Sequence, residues 1–326
     1  MIISRTPLRM SFVGGGSDLP EFYRQHGGAV LSTAVDKYIY VNVNRKFDNG
    51  IRVAYSKTEE VSSVDQVEHR LVREALKFLR LDGGIEITTI ADIPSRGTGL
   101  GSSSAFAVGL LHALSAYQGR YVSSDQLGRD SCHIEIDLCG EPIGKQDQYA
   151  AAFGGFNLIE FKPDDSVIVS PVICERATIR EIEASILVFY TGITRSASVL
   201  LRQQAQEVAG DARKRQVLAR MAGLSYALRD ELHRNNAAAL GEILHENWEL
   251  KKSVSSGVSS GEIDEWYAAA RRAGAVGGKI LGAGGGGFLM LYAPREVHEE
   301  IKSALIGLRS VPMGFEPLGS RIIFYR

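Results

Sequence analysis

The chain has 326 residues, of which 44% are hydrophobic and 23% charged, enough for a large core in an ordinary globular protein with two lobes. Lys+Arg 37 against Asp+Glu 38 gives a net charge of −1, which argues against bulk binding to a nucleic-acid backbone. No apolar run approaches the ~20 residues of a membrane helix, no signal-peptide core opens the chain, and three cysteines without a CxxC pair suit a reducing cytoplasm.

In chain order, residues 29–47 alternate Ile39, Val41 and Val43 with Tyr38, Tyr40, Asn42 and Asn44, predicting a long half-buried strand. Val64, Val67, Leu71, Ala75 and Phe78 fall at helical spacing, predicting an amphipathic helix over 64–81. Residues 84–93 alternate as a strand that stops at Pro94. Helices are predicted over 103–117 and 123–139, then short strands at 156–161 and 167–173 and a core strand at 185–191. A block of helices from about 196 to 273 precedes strands at 276–281 and 288–292, a helix at 295–308 and two closing strands. Strands interleaved with helices without a regular βαβ repeat predict an α+β architecture, divided near 180 into a lobe of 1–180 and a lobe of 181–326.

Glycine is about 11% of the chain against a usual ~7%, and it is clustered. In PSRGTGLGSSSA (94–105), Gly97, Gly99 and Gly101 separate a strand end from a helix opened by Ser102, Ser103 and Ser104. Glycines allow successive N–H groups to converge on an anion, the helix N-terminus adds unpaired donors, and serine hydroxyls can meet phosphate or Mg²⁺. Walker A and the dinucleotide-binding GxGxxG are both absent here. A flexible helix cap is the bland alternative. The second cluster, RTPLRMSFVGGGSDLP (5–20), sets Arg9 before Gly14, Gly15 and Gly16, with Ser17 and Asp18 beyond; a glycine-rich turn with a surface acid would look the same. The third, KILGAGGGGF (279–288), links two strands and suits either close backbone passage or a plain hairpin turn.

In this order the three clusters resemble the three motifs of the GHMP kinase superfamily, and 94–105 is similar to its phosphate loop almost letter for letter. The resemblance implies a two-lobed GHMP kinase fold, with a ribosomal protein S5 domain 2-like N-terminal lobe and a ferredoxin-like C-terminal lobe. It implies ATP and Mg²⁺ as cofactors. Gly97, Gly99, Gly101 and Ser102–Ser104 would bind ATP, and Ser103 would hold Mg²⁺ together with Glu135, twelve residues before Asp147. Asp147 in GKQDQY would be the catalytic aspartate, paired with Arg9, and Asp18 would contact the acceptor. Galactokinases carry Glu-His where this chain has Gly15 and Gly16, so the acceptor site should be roomier beside Ser17 and Asp18.

The strings at 5–20, 144–155 and 189–198 together resemble the bacterial D-glycero-α-D-manno-heptose 7-phosphate kinases, which phosphorylate the anomeric oxygen. A small-molecule sugar phosphate would then be the partner, and its phosphate would need a cation. Arg195 in TGITRS, at a strand end that opens a helix, is the favoured candidate over Lys145, Arg24 and Lys37. A kinase for another sugar, such as galactose, fucose or free heptose, and a non-catalytic sensor of ATP and sugar are the alternatives.

Overall fold

The computed structural model describes residues 1–94, 97–194 and 197–326. The N-terminal half is a mixed sheet. Strand β1 (Ile2–Val13) is followed by helix α1 (Pro20–His26), then by the long β2 (Gly28–Arg45), β3 (Ile51–Ala54) and β4 (Thr58–Val61). Helix α2 (Arg70–Leu79), strand β5 (Ile85–Ala91) and helix α3 (Ser102–Tyr117) come next. Helix α4 (Ser124–Cys132) runs into a π-helical turn at His133–Leu138 and leads to α5 (Gln146–Phe153), β6 (Phe156–Phe161) and β7 (Val167–Pro171). Strand β2 pairs antiparallel with β1 along its length, with β5 through its second half and with β6 through its first.

Helix α3 buries most of its residues, and its largely apolar composition follows from its seat across β1 and β2. Leu8, Met10, Phe12, Val41, Val43, Leu110 and Leu114 meet there in the main core. Burying such side chains stabilises the lobe by roughly 1.5–3 kcal/mol each before entropic costs.

The second half opens with α6 (Arg176–Ser185) and β8 (Ile186–Tyr190), followed by α7 (Ala197–Gly210), α8 (Ala212–His233), α9 (Ala239–Val254) and α10 (Gly261–Arg272). Strands β9 (Gly277–Ile280) and β10 (Phe288–Tyr292), helix α11 (His298–Ala304), β11 (Arg309–Ser310) and β12 (Arg321–Tyr325) end the chain. A second sheet has the order β11-β8-β10-β9, and its own core gathers Phe189, Trp248, Tyr267, Leu289 and Leu291. Among the described residues no helix is long and apolar enough to cross a membrane.

Four expectations are corrected. The helix predicted over 64–81 is a 3₁₀ turn at Val64–Gln66 and then α2, because the Glu59 carboxylate accepts the backbone N–H groups of Glu68 (2.6 Å) and His69 (3.1 Å). The helix over 123–139 is α-helical only to Cys132. The helix over 295–308 shrinks to a 3₁₀ turn at Arg295–Val297 and α11. The division into 1–180 and 181–326 fails at its far end: β12 pairs antiparallel with β1, and the Glu316 N–H donates to the Ala34 carbonyl. The chain therefore finishes on the N-terminal sheet.

Candidate active site

The three glycine clusters converge on one cleft of about 580 Å³ between the two sheets. Its phosphate-loop wall follows from backbone conformation. Gly97, Gly99 and Gly101 have φ of 69°, 74° and 73°, the left-handed region that side chains disfavour, and Gly101 is the N-cap of α3. A helix start so exposed to the cleft presents unpaired N–H groups and the positive end of the helix dipole. Ser102 is tied to Thr98 by a 3.2 Å hydroxyl contact, and Ser102, Ser103 and Ser104 all line the cleft.

Packed against the loop, Arg9 on β1 grips Asp147 in the first turn of α5. Its Nε and Nη2 donate to the two carboxylate oxygens at 2.7 and 2.8 Å, and Nη1 donates to the Gly99 carbonyl at 2.6 Å. This bidentate pairing fixes the carboxylate plane. Arg9 is 4% exposed and Asp147 23%, so the aspartate remains the member open to a reactant.

Glu135 lies in the π-helical turn and is completely buried. Its Oε1 accepts from Ser103 (2.9 Å) and its Oε2 from Gln148 (2.6 Å). Burial pushes its carboxyl up to about 7, opposed by the Ser104, Ser103 and Gln148 hydrogen bonds and reinforced by the charge of Asp147. Among the described residues no cation pairs with it. A buried carboxylate with only neutral donors, set against a serine hydroxyl, is a donor set that fits Mg²⁺, an ion held by few protein oxygens.

Asp18 is held by N–H groups. Gly16 donates to its Oδ1 (2.9 Å), and the backbone and side-chain nitrogens of Gln146 donate to its Oδ2 (3.4 and 3.1 Å). Burial nevertheless raises its carboxyl above the ordinary value, since it outweighs the Gly16 hydrogen bond. Gly15 and Gly16 line the cleft beside it. Ser17 does not. It is fully buried, its hydroxyl donates to the Ala29 carbonyl (3.0 Å) and accepts the Ala29 N–H (3.1 Å), and it fastens the turn to β2. Of the candidate acceptor residues Gly15, Gly16, Ser17 and Asp18, the structure brings Gly15, Gly16 and Asp18 to the cleft and leaves Ser17 behind it.

The cations proposed for an acceptor phosphate divide likewise. Lys145 and Arg24 both bond Asp165, away from the cleft, and Lys37 bonds Asp36. Arg195 lies outside the described residues.

Several residues at the site escaped the sequence reading. Gln146, which lines the cleft, and Gln148, buried behind it against Glu135, flank Asp147 inside a motif already noticed, so adjacency could have flagged them. Gln204 on α7 and Lys251 on α9 sit in a long helical block with no short motif to mark them. Ser11 Oγ, Gln146 Oε1 and Gln204 Nε2 are buried polar atoms without a protein partner, all in residues that line this cleft.

Residues 69–155 match the family described as GHMP kinases N terminal domain, and residues 228–307 match GHMP kinases C terminal. A mevalonate kinase of Pyrococcus horikoshii is 31% identical, with 92% of this chain and 84% of that protein covered. The chain belongs to the GHMP kinase family. This GHMP kinase is also 29% identical to the D-glycero-alpha-D-manno-heptose 7-phosphate kinase of Campylobacter jejuni, covering 93% of this chain and 92% of that one. The crystal structure of a D-glycero-D-manno-heptose 1-phosphate kinase from Bacteroides thetaiotaomicron superposes with a TM-score of 0.82 at 27% identity over 100% of both chains. Membership makes the chain an ATP-dependent kinase that transfers phosphate to a hydroxyl of a small molecule, on the mixed helix-and-sheet fold of that family.

Proposed function

We propose that the chain phosphorylates the anomeric hydroxyl of D-glycero-D-manno-heptose 7-phosphate, with ATP as donor and Mg²⁺ bound, giving the 1,7-bisphosphate. The observation that carries this is the acceptor end of the cleft. Gly15 and Gly16 leave room there, Asp18 offers a fixed carboxylate, and buried polar atoms of Ser11, Gln146 and Gln204 have no partner within the protein. Such an array suits a polyhydroxylated acceptor larger than a hexose, because unpaired buried polar atoms are costly unless a ligand satisfies them. The Campylobacter jejuni relative is named for this substrate, and the Bacteroides thetaiotaomicron structure, named for heptose 1-phosphate, supports a heptose phosphate more broadly.

In this mechanism the backbone N–H groups of 97–104 and the start of α3 hold the ATP phosphates. Ser103 and Glu135 would hold Mg²⁺, which neutralises phosphate charge. Asp147, clamped by Arg9, orients the acceptor hydroxyl and takes its proton late, as the acceptor oxygen bonds the γ-phosphorus and the bond to ADP breaks. Arg195 is the proposed contact for the acceptor's 7-phosphate.

A panel of heptose 7-phosphate, free heptose, galactose, fucose and mevalonate, assayed by coupled ADP release, tests the proposal. Heptose 7-phosphate should exceed every unphosphorylated acceptor in kcat/KM by about 100-fold, the worth of a good charge-assisted contact. Asp147→Asn should bind ATP and lose roughly 100-fold or more in transfer. Preference for a free sugar would overturn the heptose phosphate assignment.

A further inference from the structure

Among the described residues, the cleft is lined by two cationic side chains from opposite lobes, Arg9 and Lys251. Arg9 directs three of its five N–H donors to Asp147 and the Gly99 carbonyl, and its charge is matched by the Asp147 carboxylate. Lys251, on α9, is 3% exposed, and its Nζ donates to the Gly282 carbonyl. An ammonium has three N–H donors, and among the described residues one of them is bonded. Among the described residues no carboxylate forms an ion pair with it. The neighbouring buried lysine differs: Lys279 donates to the Ser11 and Phe12 carbonyls (3.0 and 3.2 Å) and does not line the cleft.

The position of Lys251 relative to the reacting groups follows from its contacts. Gly282, which accepts its hydrogen bond, packs backbone to backbone on Gly99 of the phosphate loop, and the Gly99 carbonyl accepts from Arg9. Burial and the charge of Arg9 lower the Lys251 ammonium to about 8, while Asp18 and Asp147 pull it upward. Its field therefore reaches both the catalytic pair and the acceptor carboxylate. A buried cation without an anion is expensive, and its cost falls when the anion arrives with a ligand. The anions that enter this cleft are phosphate oxygens.

We propose that Lys251 is a catalytic residue that donates to a non-bridging oxygen of the phosphoryl group as it passes from ATP to the acceptor. This rests on ATP phosphates lying over 97–104, as set out above. Arg9 orients Asp147; Lys251 supplies the positive charge from the other lobe. In the transition state charge spreads over the equatorial oxygens of the phosphoryl group, and a preorganised cation in a dry cleft acts most strongly there.

The test compares Lys251→Met and Lys251→Arg with wild type in steady-state transfer and in direct binding of ADP and of the β,γ-imido analogue of ATP. Lys251→Met should lower kcat by about 100-fold or more and Lys251→Arg should recover part of it. The preference for the triphosphate analogue over ADP should fall about tenfold in Lys251→Met, with the acceptor KM within roughly threefold of wild type. The nucleotide comparison contains no acceptor, so it judges Lys251 even if heptose 7-phosphate proves the wrong substrate. If the methionine variant fails to fold, Lys251→Arg and Lys251→Gln carry the same comparison. A kcat and a triphosphate preference both unchanged would overturn the proposal. So would a defect confined to the KM of phosphorylated acceptors, which would put the ammonium on the acceptor's own phosphate.

Discussion

At the scale of single residues, the site depends on contacts too close for any side chain. Gly144 precedes α5 and Asp147, and a Cβ there would lie 1.9 Å from Asp18 Oδ2 and 2.8 Å from the Asp18 carbonyl oxygen. Its φ is not positive, so alanine meets no backbone strain and the clash alone is tested. Gly144→Ala should turn Asp18 away from the N–H groups of Gly16 and Gln146 that now hold it. We expect the acceptor KM to rise about tenfold while the ATP KM stays within roughly twofold, with about 1–3 kcal/mol of stability lost to overpacking. Gly223→Ala, in α8 with open space around its Cβ, is the control and should stabilise by about 1 kcal/mol. Steady-state kinetics and urea unfolding of both variants check the pair. Matched effects on the two KM values would remove Asp18 from the acceptor site.

At the scale of elements, a half-wet strand was legible where it is long, while the four-residue β3 and β4, also half-wet, were missed. The alternation at 38–44 gave β2 because Val41 and Val43 enter the core while Asn42 and Asn44 are only partly buried. Periodicity failed where a side chain from another element intervenes: Glu59 captures the amides of Glu68 and His69, and nothing within 64–81 announces it. The π-helical turn that carries Glu135 was also hidden, since its residues fit an ordinary helix equally well. Helix α3 contains a pH-dependent tie of this long-range kind. The His112 ring bonds the Ser320 hydroxyl (3.0 Å), which meets Thr6 on β1 (2.7 Å), joining α3, the segment before β12 and the first strand. Burial lowers the His112 imidazole from an ordinary 6.5 to about 4. The unfolded chain therefore takes up a proton at a pH where the native chain refuses it. Stability from this group is complete above 6.5, declines as pH falls toward 4 and levels off below, with a total change of a few kcal/mol at most. His112→Gln should flatten that slope in urea titrations across the interval. A slope equal to wild type would show that other groups set it.

At the scale of the molecule, the sequence marked all three glycine clusters but not how they touch, because contact across 180 residues leaves no trace in local spacing. The glycine run after β9 serves the junction between the two sheets. A Cβ on Gly282 would fall 2.5 Å from the Gly99 Cα, and one on Gly99 would fall 2.3 Å from the Leu281 carbonyl oxygen. Both neighbours are backbone, so no rotamer can relieve the clash; both glycines also have positive φ, at 73° and 74°. Alanine at Gly282 must separate the phosphate loop from the C-terminal wall. It must also move the carbonyl that receives Lys251. The main core includes the neighbouring Leu281, but most of its members come from β1, β2, α3 and other elements outside the glycine run, so the fold should persist. We therefore expect Gly282→Ala to keep a folded far-UV spectrum while weakening nucleotide binding and kcat together, each by about tenfold or more, since loop position and charge are lost in one step. Calorimetric titration with the β,γ-imido analogue and single-turnover transfer measure the two separately. A loss of kcat with nucleotide affinity intact would mean that the junction positions Lys251 alone, and that the phosphate loop stands without support from the second sheet.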